Sequence, residues 1–415
     1  MSAQQPTMPA PHGSAGREDW RRVVTVFWIT SMVEGLGVSQ VFSFLAPYLR
    51  EMGVPDADRV PFVGLFSALI FIVGMPLVPL WGVWADKYSR KAVIARSCFV
   101  EAVVFVRVAL SREPWQLAVS LLLIGFQLGN TGVMLAAIRD VVPRARIGTM
   151  IALFGASGPI GFAVGPVLGG YLVDGLGLTL SAMFWVSAGL SVTTGALVWF
   201  GSREVRPEVI PEGRVLPLAF GALRGVLSDP TVLRIFAIYG VAFLASQMSR
   251  PYQALIVEQI VGAGPGLASS IGFVAGTAAL VGAVTSPFGG VVGDRIGFRP
   301  VLIGAMLVGG LALVAVPLAA AVPVLALAVL VFTACNGIVG AMVFSLLATE
   351  VPAERRSQTL NLVYLPLYAA GILGPAVGGT IAGITGPSGP FWAAAAVFLA
   401  GAAVVALRVR ARRVD

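Results

Sequence analysis

Gly82-Val-Trp-Ala-Asp86-Lys87-Tyr-Ser-Arg90-Lys91 closes one long apolar run of the chain, and Gly290-Val-Val-Gly-Asp294-Arg295-Ile-Gly297-Phe-Arg299 closes another. Both place a glycine four residues before a carboxylate and follow it with cations. Two more pairs stand at nearly the same separation. Val142-Pro143 with Arg146 returns as Val351-Pro352 with Arg355, and Gly165-Pro166-Val-Leu-Gly169-Gly170 returns as Gly374-Pro375-Ala-Val-Gly378-Gly379. One such match is unremarkable, but three in the same order at nearly one offset identify a duplicated unit. Internal repeats of this kind build membrane proteins in which one half rocks against the other around a site near the bilayer midplane.

Composition agrees with a membrane setting. Of 415 residues, 57% are hydrophobic and 12% charged, against about 45–50% and about 25% for soluble domains. The 50 glycines and 27 prolines would weaken soluble helices, whereas membrane helices tolerate both. Spanning the hydrocarbon core takes about 20 apolar residues, and twelve segments of that kind run through the chain. The predicted organisation is a disordered tail over 1–20, a six-helix bundle over 21–200, a linker over 201–230, a second six-helix bundle over 231–407 and a basic tail over 408–415. The first apolar run is too long for a signal-peptide core, so it is expected to be retained as a span.

Lys and Arg concentrate on the cytoplasmic side of short loops. With the N-terminus inside, 23 of the 28 basic residues fall on the cytoplasmic side, Arg50, Arg59 and Arg112 fall outside, and Arg107 and Arg250 lie within spans. The positive charge is thus spent on topology rather than gathered on a nucleic-acid-binding face, and both termini are expected in the cytoplasm. Cys98 and Cys335 sit in apolar segments as small hydrophobes. The one histidine, His12, is in the tail, so no histidine metal site or Ser-His-Asp triad is available within the membrane. No nucleotide-binding loop is present. An enzyme is not expected, nor is a cofactor, a metal or a nucleic-acid partner.

The doubled loop, the Gly161-x-x-x-Gly165-Pro166-x-x-Gly169-Gly170 run and its shorter copy Gly374-Pro375-x-x-Gly378-Gly379 resemble the major facilitator superfamily, from about Trp20 onward. The resemblance is nearest to the twelve-helix drug:proton antiporter group. It implies an all-α fold of two pseudo-symmetric six-helix bundles in the cytoplasmic (inner) membrane. It also implies a cytoplasmic gate at Gly82, Asp86, Arg90, Gly290, Asp294 and Arg299, although a solvated turn that merely sets topology stands as the plainer reading. The first loop departs from the family pattern at Trp84 and Ser89. The glycine-proline runs resemble the family's antiporter signature, and small residues at these intervals let backbones approach closely. An arginine that the group commonly carries in span 4, four residues before a glycine, is replaced here by Leu121.

Charged groups at membrane depth cost about 2.5–3.5 kcal/mol even on the lenient insertion scale, and so they mark pathways or find partners. Glu34 lies about 16 Å into span 1, near the middle of an about 30 Å core. It is the leading proton-coupling candidate, with a structural hydrogen bond as the alternative. Glu101 in span 3 is the second candidate. Arg250 in span 7 is either a substrate or gating contact or snorkels to the interface, and Arg107 snorkels. The repeat carries Arg250 to position 41, seven residues from Glu34 and within about 20° of its helix face. It also pairs Gln127 with Asn336, and Asn130 shares a face with Gln127. With Tyr252, these polar residues form the expected substrate pathway. The functional expectation is proton-coupled efflux of lipophilic small molecules by a monomer surrounded by lipid. Transport of a polar metabolite, or a non-transporting receptor or scaffold, are the alternatives.

Overall fold

The computed structural model describes residues 15–207, 210–350, 362 and 365–408. The expectations on His12, on Val351-Pro352, on Arg355 and Arg356, and on the side chain of Asp294 lie outside the described positions, as do those on the two tails save Ala15–Trp20 and Arg408. No strand occurs among the described residues. Span 1 is one helix, Ala15–Glu51, and it begins inside the stretch assigned to the N-terminal tail, past its last proline, Pro11. Span 2 is Asp56–Ile72 followed by Gly74–Lys87, span 3 is Arg90–Leu110, and span 4 is Pro114–Leu123 and Asn130–Val141. Span 5 is Ile147–Gly170 and span 6 Leu180–Gly201. A linker helix, Val215–Leu227, stands in the polar connection. Span 7 is Pro230–Ser249 and Gln253–Val261, and span 8 is Leu267–Ile296. Spans 9 to 12 are Phe298–Ala315, Val322–Glu350, Leu365–Thr385 and Gly389–Arg408.

Eleven of the described helices are long and apolar enough to cross a membrane. Span 3 is the twelfth. At 21 residues and about 1.5 Å each it reaches about 31 Å, but Arg90, Lys91, Arg96, Glu101 and Arg107 interrupt its apolarity. These charges face protein partners rather than lipid at Arg90 and Glu101, which are almost fully buried.

The two halves pack alike. Span 1 packs on span 5 as span 7 packs on span 11, span 3 on span 6 as span 9 on span 12, and spans 8 and 10 form the counterpart of 2 and 4. The duplicated glycines explain the first correspondence. A Cβ on Gly161 would lie 2.0 Å from the Met32 carbonyl oxygen, and one on Gly374 would lie 2.9 Å from the Met248 amide nitrogen. Backbones this close exclude any side chain.

Between halves, span 5 meets span 8 and span 2 meets span 11. The end of the molecule that carries Arg90, Arg139, Arg146 and Arg203 is the basic end, and the other is the far end. At the far end the halves are joined. Arg50 Nη1 and Arg59 Nη2 both donate to Glu258 Oε1, at 2.7 and 3.1 Å, and Arg59 also pairs with Asp56 at 2.8 Å. The Ser269 amide donates to Asp174 Oδ2 at 2.6 Å, and Gly272 lies against the Pro166 carbonyl. At the basic end a cleft with about 900 Å³ of empty space separates spans 2 and 4 from span 11 and the linker helix. Among the described residues the halves are joined at the far end and parted by this cleft at the basic end.

Candidate functional site

The Glu34 carboxylate is held from span 4. Gln127 Nε2 donates to Oε1 at 3.1 Å and Asn130 Nδ2 donates to Oε2 at 2.9 Å. Span 4 can present both amides because it leaves the α-helical path there: Ile124–Phe126 form a 3-10 turn and Gly129 takes φ 100°, a left-handed conformation that glycine enters without steric cost. Both amide residues are almost fully buried. From behind, Ser97 Oγ of span 3 donates to the Gln127 carbonyl at 2.7 Å. Arg96, which the charge pattern assigns to topology alone, lies with its guanidinium carbon 3.6 Å from the centre of the Trp81 ring, and its charge acts on Glu34.

Glu101 is five residues farther along span 3 and faces spans 1 and 6. Its Oε2 accepts from Ser191 Oγ at 3.1 Å, and Gly37 leaves the room in which Oε1 sits. The Gln127 side chain donates to Glu34 and lies near Glu101. Two acceptors remain buried there with no donor, Glu101 Oε1 and Gln127 Oε1. Nearby, Gln40 ties span 1 to span 5, donating to the Gly165 carbonyl at 3.2 Å, and accepts from Ser187 Oγ of span 6 at 2.5 Å.

The remaining pathway candidates lie elsewhere. Arg250 lines a separate cleft between spans 1, 5, 7, 8 and 10. Its Nη2 reaches Ser246 Oγ at 3.5 Å, and its guanidinium is 5.7 Å from the Phe162 ring centre. It lines a different space from Glu34, at the head of the 3-10 turn Arg250–Tyr252 that interrupts span 7. Tyr252 is fully buried, its hydroxyl beside Gly64 and Gly379 in the seam of spans 2 and 11. Asn336 keeps a buried Oδ1 without a partner.

At the basic end Arg90 bridges two carboxylates, with Nε 2.8 Å from Asp86 Oδ1 and Nη1 2.7 Å from Asp140 Oδ2. Its backbone amide donates to Glu204 Oε1 at 2.9 Å, and Ser89 Oγ and the Lys91 amide also reach Glu204. These partners lie in the first half, save Glu204 at the start of the linker. Asp86 and Gly82 therefore line the open cleft, and Asp86 makes no ion pair across it among the described residues. In the second half Arg299 donates to the Ala406 carbonyl, fastening span 9 to span 12, and a Cβ on Gly290 would meet nothing within 4 Å. Gly165, Gly169 and Gly170 abut Leu36, Phe44 and Ala268, while Gly378 abuts Met248 and Tyr252. Pro166 and Pro375 stand inside their helices, with their carbonyls against Gly272 and Gly64.

The sequence profile described as Major Facilitator Superfamily matches residues 27–260 and again 235–415. The chain belongs to the Major Facilitator Superfamily. Like that family it is a transporter and not an enzyme. Among curated proteins it is 28% identical to the multidrug resistance protein MdtG of Citrobacter koseri over 298 residues, covering 71% of this chain and 72% of that one. Among solved structures it resembles a bacterial homolog of the human lysosomal transporter Spinster in an inward-facing and occupied conformation (TM-score 0.77, 14% identity, 95% of this chain and 97% of that one). It also resembles the nucleoside transporter NupG (TM-score 0.73, 15% identity, 93% and 98%). At these identities the solved structures speak to the major facilitator fold, which all of them share with this multi-pass membrane protein.

Proposed function

We propose that this transporter exports lipophilic small molecules from the cytoplasm in exchange for protons, by alternating access, as a monomer in the bacterial inner membrane. The observation that carries the reading is the Glu34 carboxylate, set at mid-span and held by two amides that a helix break delivers to it. Names of the curated relatives, multidrug resistance proteins, support the efflux direction and the lipophilic cargo. The basic end is cytoplasmic on this reading, in line with the positive-inside rule, so the described state is open inward and both termini are inside.

Hydration and dehydration favour opposite forms of a carboxyl group. Glu34 is half-buried, and rocking of the halves changes its access to water. Gln127 and Asn130 orient the carboxylate through donated hydrogen bonds, and Arg96 lies nearby against Trp81. Glu34→Gln keeps size and hydrogen-bonding capacity but carries no titratable proton. In proteoliposomes with an imposed pH gradient, the parent is expected to accumulate a lipophilic test compound against its gradient. The Glu34→Gln protein is expected to equilibrate the same compound without concentrating it. Undiminished accumulation by that variant rejects Glu34 as the coupling group, and preferential uptake of nucleosides or sugars by the parent rejects the lipophilic cargo.

A further inference from the structure

The cleft between spans 1, 5, 7, 8 and 10 holds a charge that the coupling reading does not use. It encloses about 620 Å³ of space between atoms, part of it open to solvent, and both halves of the transporter contribute to it. Its described lining is mostly apolar, with Phe42, Phe162 and the small residues of span 8, and it contains one charged side chain, Arg250, and no carboxylate. Other arginines inside the molecule have their charge answered. Arg59 has Glu258 and Asp56, Arg90 has Asp86 and Asp140, and Arg96 has the Trp81 face with Glu34 nearby. Arg250 has only a long contact to one hydroxyl and a ring at 5.7 Å. A guanidinium offers five donors in a fork that matches a planar or tetrahedral oxyanion, and a charge at membrane depth is retained where something pairs with it. Gln253, on the same wall, adds an amide beside that fork.

We propose that this cleft binds amphipathic organic anions, the carboxylate or sulfonate on Arg250 and the apolar body between Phe162 and span 8. The proposal names the cargo class of the transport reading and rests on that reading for its physiological meaning, although binding itself needs no proton gradient. The test uses the full chain in lipid nanodiscs with two fluorescent probes, anilinonaphthalene sulfonate and phenylnaphthylamine, which share an aromatic body and differ in the sulfonate. Signal from empty nanodiscs is subtracted. The parent should bind the sulfonate at least about tenfold more tightly than the amine, as a charge-assisted contact provides. Arg250→Gln should lose that preference and keep its affinity for the amine, which also shows that the variant is folded. Arg250→Lys should fall between, since an ammonium keeps the charge and loses the fork. If Arg250→Gln does not fold, Ala278→Phe fills the apolar wall without touching the charge and should weaken the sulfonate by a similar factor. Equal affinity for both probes in the parent, or an unchanged sulfonate affinity in folded Arg250→Gln or Ala278→Phe, overturns the proposal. Glu34→Gln should bind the sulfonate as the parent does, so loss of coupling and loss of the anion site register separately.

Discussion

Gly161 and Gly82 belong to the same sequence vocabulary of small residues and have opposite surroundings. A Cβ on Gly161 would fall 2.0 Å from a backbone oxygen of span 1, whereas one on Gly82 would meet nothing within 4 Å. Gly161→Ala must push two helices apart, at a cost of about 1–3 kcal/mol, and is expected to lower the melting temperature of the purified protein. An unchanged melting curve would mean that the span 1–span 5 seam has slack. Gly82→Ala is expected to melt as the parent does. Its effect should appear in the transport rate, because the open cleft beside Gly82 has to close during each cycle. The contrast also marks what was legible in the sequence at this level. Glu34, Gln127 and Asn130 were found from depth, repeat and face, and the structure brings the three together. Arg96 was not, because its role depends on Trp81, a residue of another span, and nothing along the chain announces a ring at 3.6 Å.

Helices were the most readable level, since their lengths and apolarity follow from the bilayer, and the interruptions inside them were the least. The 3-10 turn Ile124–Phe126 and the left-handed Gly129 rephase span 4 and decide which side chains can meet. Interruption also shapes the network around Gln127. Its NH2 donates to Glu34, and its amide oxygen is buried without a donor. Gln127→Leu removes both the donor to Glu34 and the amide near Glu101, leaving buried groups unpaired at about 1–3 kcal/mol. It is expected to uncouple transport from the pH gradient while Gln127→Asn, which keeps an amide donor, restores part of it. Measured coupling in Gln127→Leu equal to that of the parent would confine Gln127 to a packing role.

On the transport reading, two latches at opposite ends make the whole molecule a balance. In the described state Glu258 joins spans 1 and 2 to span 7 through Arg50 and Arg59, while Asp86 and Arg90 pair within one half and leave the basic end open. Glu258 and Arg59 are largely shielded, with side chains 12% and 6% exposed. Glu258→Gln therefore weakens the far-end closure by about 1–3 kcal/mol, between the values for exposed and fully buried pairs. A two-state equilibrium moves about tenfold for each 1.4 kcal/mol, so the variant should spend more time open at the far end. Asp86 has the opposite duty on the transport reading, since its charge is the group that would close the basic end once the halves rock. Asp86→Asn should deepen the population of the described state and slow transport without lowering the amount in the membrane, and Asp294→Asn should do so more mildly. Both native cysteines, Cys98 and Cys335, are buried, so a single added thiol at Ser43, which lines the central cleft, reports access from either side. Labelling of Ser43→Cys by an impermeant reagent from the far side should rise with Glu258→Gln and fall with Asp86→Asn. If the ends exchange closure reciprocally, the two changes act on one equilibrium from opposite directions. The double variant should then label close to the Ser43→Cys parent, with additive free energies, because sites at opposite ends share no partners. A double variant that labels like Glu258→Gln alone would show that Asp86 does not bear on the equilibrium between the two open states.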